Sequence, residues 1–458
     1  MHRLLSPRPI VLAVVVLFVL CVDALVAGER SEDWPQWLGP KRDGVWRETG
    51  ILEKFPKEGP KIAWRTPVGG GYSGPAVAGD KVFLTDRVLA EGGKNPDDPF
   101  SKAKVEGKER VLCLDAKSGK ILWTHEYECT YRISYPAGPR TTPVVSGGKV
   151  YTLGAMGDLL CLDADKGKVV WSKSFQQDYK APIPLWGCAA HPLLDGNQLI
   201  CLVGGKDSAV VAFDKDTGKE LWRSLAVPEI GYCPPMIFEV GGKRQLIVWM
   251  PDAVHSLDPG TGKPYWEQKF AIGANMTIPT PRLVRDNLFV TAFYSGAMML
   301  KLDRDKPEAS VVWKSKGTGE KPGQTDALHS VMSTPFIKDG YIYGVCSYGE
   351  LRCLKADTGE RVWMSLKATG AQEKPEERWA NAFLIPQGDR VFLMNEKGDL
   401  IIAKLSPTGY DEVSRAHILE PTGTAALRPV VWSHPAFAHQ SMFARNDKEI
   451  VCVSLAKE

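Results

Sequence analysis

The stretch LLCLDADKGKVVW, residues 159–171, closes an apolar run with an aspartate, turns at Gly-Lys and reaches a tryptophan eight residues after the aspartate. Close variants stand at 111–123, 210–222, 254–266 and 351–363, and a looser variant ends at Trp313. The tryptophans that end these variants are 44 to 51 residues apart: Trp123, Trp171, Trp222, Trp266, Trp313 and Trp363. Such regular recurrence indicates a repeat array, although a length of 458 residues alone would suggest about three domains.

Each repeat has the pattern of four short strands joined by turns that contain glycine. In the second copy, residues 141–175, the strands are TTPVVSGG, KVYTLGAMG, DLLCLDADKG and KVVWSKSF. Repeated four-stranded antiparallel units of this length predict the blades of a β-propeller. Glycine supplies the positive φ of the last turn, aspartate bonds the turn amides, and tryptophan covers the neighbouring blade. The repeated phrase is therefore predicted to be structural rather than catalytic.

The number of blades can be counted from the positions at which inner strands begin. These positions are Gly74, Thr142, His191, Pro234, Thr280, Thr334, Asn381 and His434. The eighth copy ends after its third strand, whereas Trp64 lies in an upstream strand that has no turn before it. We therefore predict an all-β, eight-bladed β-propeller of four-stranded antiparallel blades, in which residues 61–68 close the ring.

The N-terminal residues have the pattern of a secretory signal peptide. Basic residues are followed by an apolar run over 10–22 and then by small residues up to position 28. The predicted organisation is a signal peptide at 1–27, an extension at 28–60 and the propeller at 61–458. An uncleaved anchor is the alternative, although the apolar run is shorter than a spanning helix needs. We expect an exported monomer that is periplasmic, secreted or associated with the cell envelope.

The charge balance and the cysteine positions give no support for nucleic-acid binding, a haem or a common zinc site. A formal net charge of +3 gives no reason to expect nucleic acid as a partner. Cysteines at one repeat position, Cys113, Cys161, Cys353 and Cys452, are predicted to be packing residues. Cys188 and Cys233 precede equivalent strands and are the first pair to test for a disulfide. No C-x-x-C spacing supports haem attachment or a common zinc site.

The repeat phrase D-x-x-T-G-K-x-x-W, together with DWPQWLGPKRDG at 33–44, resembles the quinoprotein-like propellers. These include pyrroloquinoline quinone (PQQ) alcohol dehydrogenases and the BamB-like outer-membrane assembly propellers. The resemblance spans about residues 33–458 and implies the fold more strongly than a function. For the enzymes of this family it implies a quinone at the ring axis, calcium with carboxylate and amide ligands, an aspartate base and often adjacent cysteines.

This chain departs from the pattern of the enzymes. Adjacent cysteines are absent, and no acidic residue begins an inner strand. Asn381 is a single amide at such a position, and a structural role is favoured for it. We therefore expect no PQQ, no calcium, no other metal and no catalytic residue. His191, His329 and His434 lie near one end of the axis, but their spacing predicts ordinary loop histidines rather than a metal site.

A binding mouth is predicted at the entry to the blades. The residues three positions before each blade-start proline, or its equivalent, are Tyr72, Arg140, Ala189, Tyr232, Ile278, Met332, Trp379 and Trp432. Aromatic residues and arginine are those most used in binding hot spots, so Tyr72, Arg140, Tyr232, Trp379 and Trp432 form the predicted rim. Arg140 is the expected contact for an anionic group. Packing between loops is the alternative interpretation of these residues.

Long loops mark the same face as the predicted rim. Segments 86–110, 128–140 and 316–330 break the regular spacing, whereas the opposite face, with its short glycine turns, is expected to be plain. The sequence thus predicts a non-catalytic binding or scaffold module that takes a protein or extracellular ligand on its loop-rich face. A PQQ-dependent oxidoreductase is the first alternative, and a polysaccharide or peptide binder is the second.

Overall fold

A computed structural model describes residues 32–317, 319–373 and 377–457. The predicted signal peptide lies outside the described residues. Within them the chain is almost entirely β, with one helical turn, α1 (Phe175–Asp178), and two 3₁₀ turns at Gly273–Asn275 and Pro322–Gln324. No helix in these ranges is long and apolar enough to cross a membrane.

Eight antiparallel sheets of four strands form the ring, which confirms the predicted fold class. The first blade consists of β2 (Ala76–Ala78), β3 (Lys81–Leu89), β4 (Gly107–Asp115) and β5 (Ile121–Glu128), and the second of β6 (Val144–Ser146), β7 (Lys149–Leu153), β8 (Asp158–Asp163) and β9 (Val169–Ser174). The third blade consists of β10 (Leu193–Asp195), β11 (Gln198–Leu202), β12 (Val210–Asp214) and β13 (Glu220–Ser224). The fourth consists of β14 (Met236–Val240), β15 (Lys243–Trp249), β16 (Ala253–Leu257) and β17 (Pro264–Lys269).

The fifth blade consists of β18 (Arg282–Val284), β19 (Asn287–Ala292), β20 (Gly296–Leu302) and β21 (Ala309–Lys314). The sixth consists of β22 (Phe336–Lys338), β23 (Tyr341–Val345), β24 (Leu351–Lys355) and β25 (Arg361–Ser365). The seventh consists of β26 (Ala382–Gln387), β27 (Arg390–Asn395), β28 (Asp399–Ser406) and β29 (Gly409–His417). A separate hairpin, β30 (Gly423–Ala425) and β31 (Arg428–Val430), precedes the eighth blade.

The eighth blade joins the two ends of the described chain. Its inner strands are β32 (Ala436–Ala438), β33 (Ser441–Arg445) and β34 (Glu449–Ser454), and its outer strand is β1 (Ile62–Pro67). β1 pairs antiparallel with β34, which places Trp64 opposite Cys452. The predicted ring closure is confirmed, and it removes the edge that an unpaired β34 would expose.

The repeated tryptophan connects each blade to the next. Five of these side chains donate their indole N–H to a backbone carbonyl in the last turn of the following blade, over 2.8 to 3.0 Å: Trp64 to Ala116, Trp123 to Ala164, Trp171 to Lys215, Trp313 to Ala356 and Trp363 to Ser406. Trp222 and Trp266 instead bond Gln198 and Gln245 within their own blades. The turn glycine has a second role, because a Cβ on Gly167 would lie 2.5 Å from the Trp123 ring.

The N-terminal extension replaces the tryptophan that the seventh blade lacks. Ser414 pairs with Ile402 at the position that tryptophan holds in other blades. The Phe55 amide donates to the Ser414 hydroxyl over 3.1 Å, and the Phe55 side chain is buried in the core cluster between the last blades. An aromatic residue from outside the repeat therefore covers this interface.

The cysteines of the described chain are all buried and unbridged, as packing residues are. The suggested Cys188–Cys233 disulfide is therefore wrong. Cys188 lies in the cluster between the second and third blades, whereas Cys233 lies in the cluster between the fourth and fifth. The third and fourth blades lie between these two interfaces, so the two thiols are in separate parts of the core.

The closing strand should carry much of the stability of the ring. Trp64→Ala removes a buried indole, a hydrogen bond and the cover over the turn of the first blade, so we expect the free energy of unfolding to fall by about 3–5 kcal/mol. Urea denaturation followed by circular dichroism measures this change. Leu122→Ala, on the exposed side of β5, is the control and should change it by about 0.5 kcal/mol or less. Equal unfolding midpoints for the two variants would contradict the role given to β1.

Candidate functional site

A cavity of about 450 Å³ lies on the ring axis, at the face that carries the connections between blades. All eight residues that precede the blade starts line it, including the predicted rim of Tyr72, Arg140, Tyr232, Trp379 and Trp432. The remaining lining residues are Trp37, Phe100, Tyr135, Leu185, Trp186, His191, Pro234, Ala274, Met276, Tyr294, Val331, Arg378, Phe383 and His434. The structure thus brings the predicted residues together in one aromatic chamber.

The floor of the cavity is made by the N-terminal segment. Trp37 stacks on His191 at 3.9 Å between ring centroids, lies 4.5 Å from His434, and donates its N–H to the Thr280 hydroxyl over 2.9 Å. The same segment reaches the third blade, where Arg42 donates to the Pro192 carbonyl over 3.0 Å. Sequence reasoning did not predict this floor, because residues 33–44 lie outside the repeat.

The face with the short glycine turns is not plain at its centre, contrary to expectation. The N-terminal segment is bonded to the inner strand or first turn of several blades on this side. The Gly79 amide donates to Asp33, the Val145 amide to the Pro35 carbonyl and the Trp46 amide to the Pro386 carbonyl, over 2.8 to 3.1 Å. This segment lies across the axis below the cavity, on the side opposite the loop-rich face.

The histidines near the axis have structural partners. The Thr142 amide donates to Nδ1 of His191 over 2.9 Å, and burial lowers the pKa of His191 well below its usual value. Burial also lowers the pKa of His434, to about 3, so both rings are neutral near pH 7. His329 is fully buried outside the cavity and lies 3.1 Å from the Phe293 carbonyl. Across the described ranges no three His, Cys, Asp or Glu side chains are grouped to hold a metal.

Arg140 lines the cavity but serves mainly to fasten its wall. Its guanidinium donates to the Trp186 carbonyl over 2.8 Å, to the Tyr135 carbonyl over 2.7 Å, and to the carbonyls of Ser134 and Gly138. Four of its five N–H groups are therefore engaged. The sequence predicts Arg140 as the contact for an anionic group. In the structure only one N–H group of its guanidinium is left without a hydrogen-bond acceptor among the described residues.

The two rim tryptophans differ in their surroundings. Trp432 donates its N–H to buried Glu396 over 3.0 Å, and the same carboxylate pairs with Arg428 at 2.8 Å. The Trp379 indole N–H has no partner among the described residues, and the Arg378 guanidinium lies 4.3 Å above its ring. Trp432 is thus hydrogen-bonded to the structure behind the cavity, whereas the Trp379 ring is held by contacts such as the one with buried Phe293.

The long insertion of the first blade reaches the mouth of the cavity. Phe100 is 45% exposed, and its ring lies 5.2 Å from Tyr135 and 5.9 Å from Trp379. The Tyr135 amide donates to the Pro99 carbonyl over 2.6 Å, which fixes the insertion to segment 128–140. The sequence analysis singles out segment 86–110 by its length alone, and this does not indicate that Phe100 is the residue that reaches the cavity.

The lining does not fit the calcium-bound quinone of the dehydrogenases. Calcium takes six to eight oxygen ligands, mostly from carboxylates and amides. Among the described residues that line the cavity there is no Asp, Glu, Asn or Gln. Asn381 is buried and does not reach the lining. The chemistry of this donor set matches an apolar or aromatic group rather than a hard cation.

Comparisons with known proteins agree with this architecture. A family model described as outer membrane protein assembly factor BamB matches residues 107–365 and 206–457. A sequence comparison with curated proteins gives no match. Among solved structures, BamB from Moraxella catarrhalis is 15% identical, with a TM-score of 0.54, and covers 86% of this chain and 99% of its own.

Two dehydrogenase structures share the fold at similarly low identity. Quinohemoprotein alcohol dehydrogenase from Comamonas testosteroni is 13% identical, with a TM-score of 0.62, over 93% of this chain and 81% of its own. A europium-containing methanol dehydrogenase is 12% identical, with a TM-score of 0.59, over 92% and 89%. At these identities the likeness establishes the fold alone.

The rim tryptophans should differ in their effect on stability. Trp379→Ala removes ring packing against Phe100 and Phe293 but no side-chain hydrogen bond, so we expect a moderate fall in melting temperature. Trp432→Ala leaves Glu396 without one donor and should cost about 1.5–3 kcal/mol more. Differential scanning calorimetry of both variants measures the difference. A larger loss of stability for Trp379→Ala than for Trp432→Ala would contradict this assignment.

Proposed function

The chain belongs to the PQQ-like propeller family whose model is described as outer membrane protein assembly factor BamB, and we propose that it is a non-catalytic binding module. Its ligand or partner enters the axial cavity from the loop-rich face. The observation that carries this proposal is the convergence of eight blade-entry residues, half of them aromatic, on one chamber closed by Trp37. Pockets that are largely apolar, with a few placed polar groups, are typical of ligand sites.

The composition of the chamber favours binding over catalysis. Its lining within the described chain has no carboxylate to act as a base or to ligate calcium, and its two histidines are held neutral against Trp37 and the blade starts. A quinoprotein oxidoreductase remains the second candidate on fold alone. A polysaccharide is a poorer fit, because sugars need many polar partners and this wall is mainly aromatic and aliphatic.

We also propose that the protein acts outside the cytoplasm as a monomer. The leader pattern of residues 1–27 and the family of the propeller support this location. Closure of the ring supports the monomer, because β1 covers the edge of β34 that a second chain could otherwise pair with.

Reconstitution with the quinone separates the two candidate functions. Purified protein incubated with PQQ and calcium chloride is expected to retain no stoichiometric quinone after desalting, because the lining lacks calcium ligands. Absorption spectra and dye-linked alcohol oxidation measure retention and turnover. Recovery of one quinone per chain, or calcium-dependent turnover, would establish the oxidoreductase instead.

Capture experiments test the cavity as the binding site. Immobilised wild-type protein should retain a ligand or protein from the exported fraction of the source cells, and Trp379→Ala should lose it while remaining folded, as judged by circular dichroism. Truncation of an anchor residue typically costs about 2 kcal/mol or more in binding. Leu122→Ala, on the outer surface, is the matched control and should behave as wild type. Equal capture by all three baits would show that the cavity is not the site.

A further inference from the structure

The lining of the cavity has two sides of different composition. On one side, Tyr72 and Trp432 pack against a buried cluster that includes the hairpin of β30 and β31. The other side is formed by aliphatic and methionine side chains of a second cluster: Met276, Ile278, Val331 and Met332. Trp186 and Trp379 pack against both clusters and join the two sides. A ligand in the chamber therefore meets rings on one side and methyl groups and sulfur on the other.

The polar ends of several ring side chains are turned away from the chamber. The indole N–H groups of Trp37 and Trp432 donate to acceptors that do not line the cavity. The hydroxyl of Tyr135 and the indole N–H of Trp379 are enclosed in the protein and do not face the chamber. These four side chains therefore present mainly carbon surface to a ligand.

The charged groups of the lining are already engaged by the protein. Arg378 pairs with Glu320 at 2.5 Å, and Arg140 donates to four backbone carbonyls. Burial lowers the pKa of His191 and His434, so both rings are neutral near pH 7. No carboxylate lines the described part of the chamber, so a cation would have no partner, and an anion would find one free N–H of Arg140. Because burial of an ion is costly unless it is paired, the lining favours a neutral ligand.

The size of the chamber suits a small molecule of more than one ring. A dry apolar cavity of about 150 Å³ is enough to bind benzene, and this chamber has a volume of about 450 Å³. A polypeptide fits less well, because each of its residues brings a backbone N–H and C=O that need hydrogen-bond partners. The described lining consists mainly of aromatic and aliphatic side chains, which do not supply them.

We propose that the cavity binds a neutral, flat small molecule of two or three aromatic rings, which packs between Trp186 and Trp379. Its rings contact the aromatic side of the lining and the methionines of the other side. Ring–ring and sulfur–ring contacts both contribute beyond the area that they bury, so a flat aromatic ligand is favoured over an aliphatic one of the same size. This proposal rests on the proposed function and adds the chemical class of the ligand.

Two dyes with the same ring system test the charge of the ligand on the whole protein. N-phenyl-1-naphthylamine is neutral, and 8-anilinonaphthalene-1-sulfonate adds one sulfonate to the same rings. Fluorescence titration should give one site for the neutral dye and about tenfold or more weaker binding of the anionic dye, because the sulfonate must lose its hydration. Equal or tighter binding of the anionic dye would overturn the neutral class.

Filling the chamber tests the place of binding. Ala189→Trp and Ile278→Trp each add bulk to the lining, from different blades, and should weaken binding of the neutral dye about tenfold or more by direct clash. Ala63→Trp, at an exposed position of β1, is the matched control and should bind the dye as wild type does. Circular dichroism shows which variants are folded. Unchanged dye binding in a folded chamber-filling variant would overturn the site.

Competition against the neutral dye tests the shape and source of the ligand. 2-Naphthol and decahydro-2-naphthol share one carbon skeleton, but only the first is flat and aromatic. We expect 2-naphthol to displace the dye at about fivefold lower concentration than its saturated analogue, because only its rings pair with those of the wall. Equal displacement by the two would overturn the flat ligand. Displacement at equally low concentration by acetyl-Gly-Phe-Gly-amide would point to a partner polypeptide and overturn the small molecule.

The capture experiment separates this proposal from the proposed function. If wild-type protein binds no neutral dye but Ala189→Trp still loses the captured ligand or protein, the ligand class is wrong and the cavity remains the binding site. If Ala189→Trp is folded and keeps both dye binding and capture, the basis of both proposals is removed.

Discussion

The contact between one blade's tryptophan and the next blade's turn holds the ring together. The indole N–H needs a carbonyl acceptor in that turn, and the indole ring needs a residue without a Cβ beside it. Gly167 meets the second requirement for Trp123. Each copy of the repeated phrase therefore takes part in two contacts. Its tryptophan contacts the turn of the following blade, and its own turn is contacted by the tryptophan of the preceding blade. This reciprocity explains why aspartate, glycine and tryptophan recur together, while the strands between them vary.

The N-terminal segment supplies what the repeat cannot. β1 completes the eighth blade, Phe55 covers the interface where the seventh blade has Ser414, and Trp37 closes the axis. Closure of the ring and the floor of the cavity thus depend on one continuous stretch of chain. A change that loosens this segment is expected to affect both stability and the shape of the site, because β1 and Trp37 belong to the same continuous stretch.

The blade count, the ring closure and the rim positions could be predicted from the sequence because each follows from the repeat. Trp37, Phe100, Tyr135 and Arg378 could not, because they lie in segments that occur once and whose neighbours are set only by the folded ring. Arg140 shows a different limit. Its position was predicted, but its donors are taken by carbonyls of its own wall, and sequence pattern carries no information about such backbone contacts.

The polarity of the cavity follows from where its carboxylates lie. Glu320 and Glu396 do not line the chamber; they stand behind the wall, where they pair with Arg378 and Arg428. Glu396 also takes the N–H of Trp432, so that indole presents mainly its apolar surface to the chamber. Among the described residues, the N–H of Trp379 has no such carboxylate as a partner. These two acids thus neutralise arginines of the wall from behind it, and the surface that the described lining presents to the chamber is mainly aromatic and aliphatic.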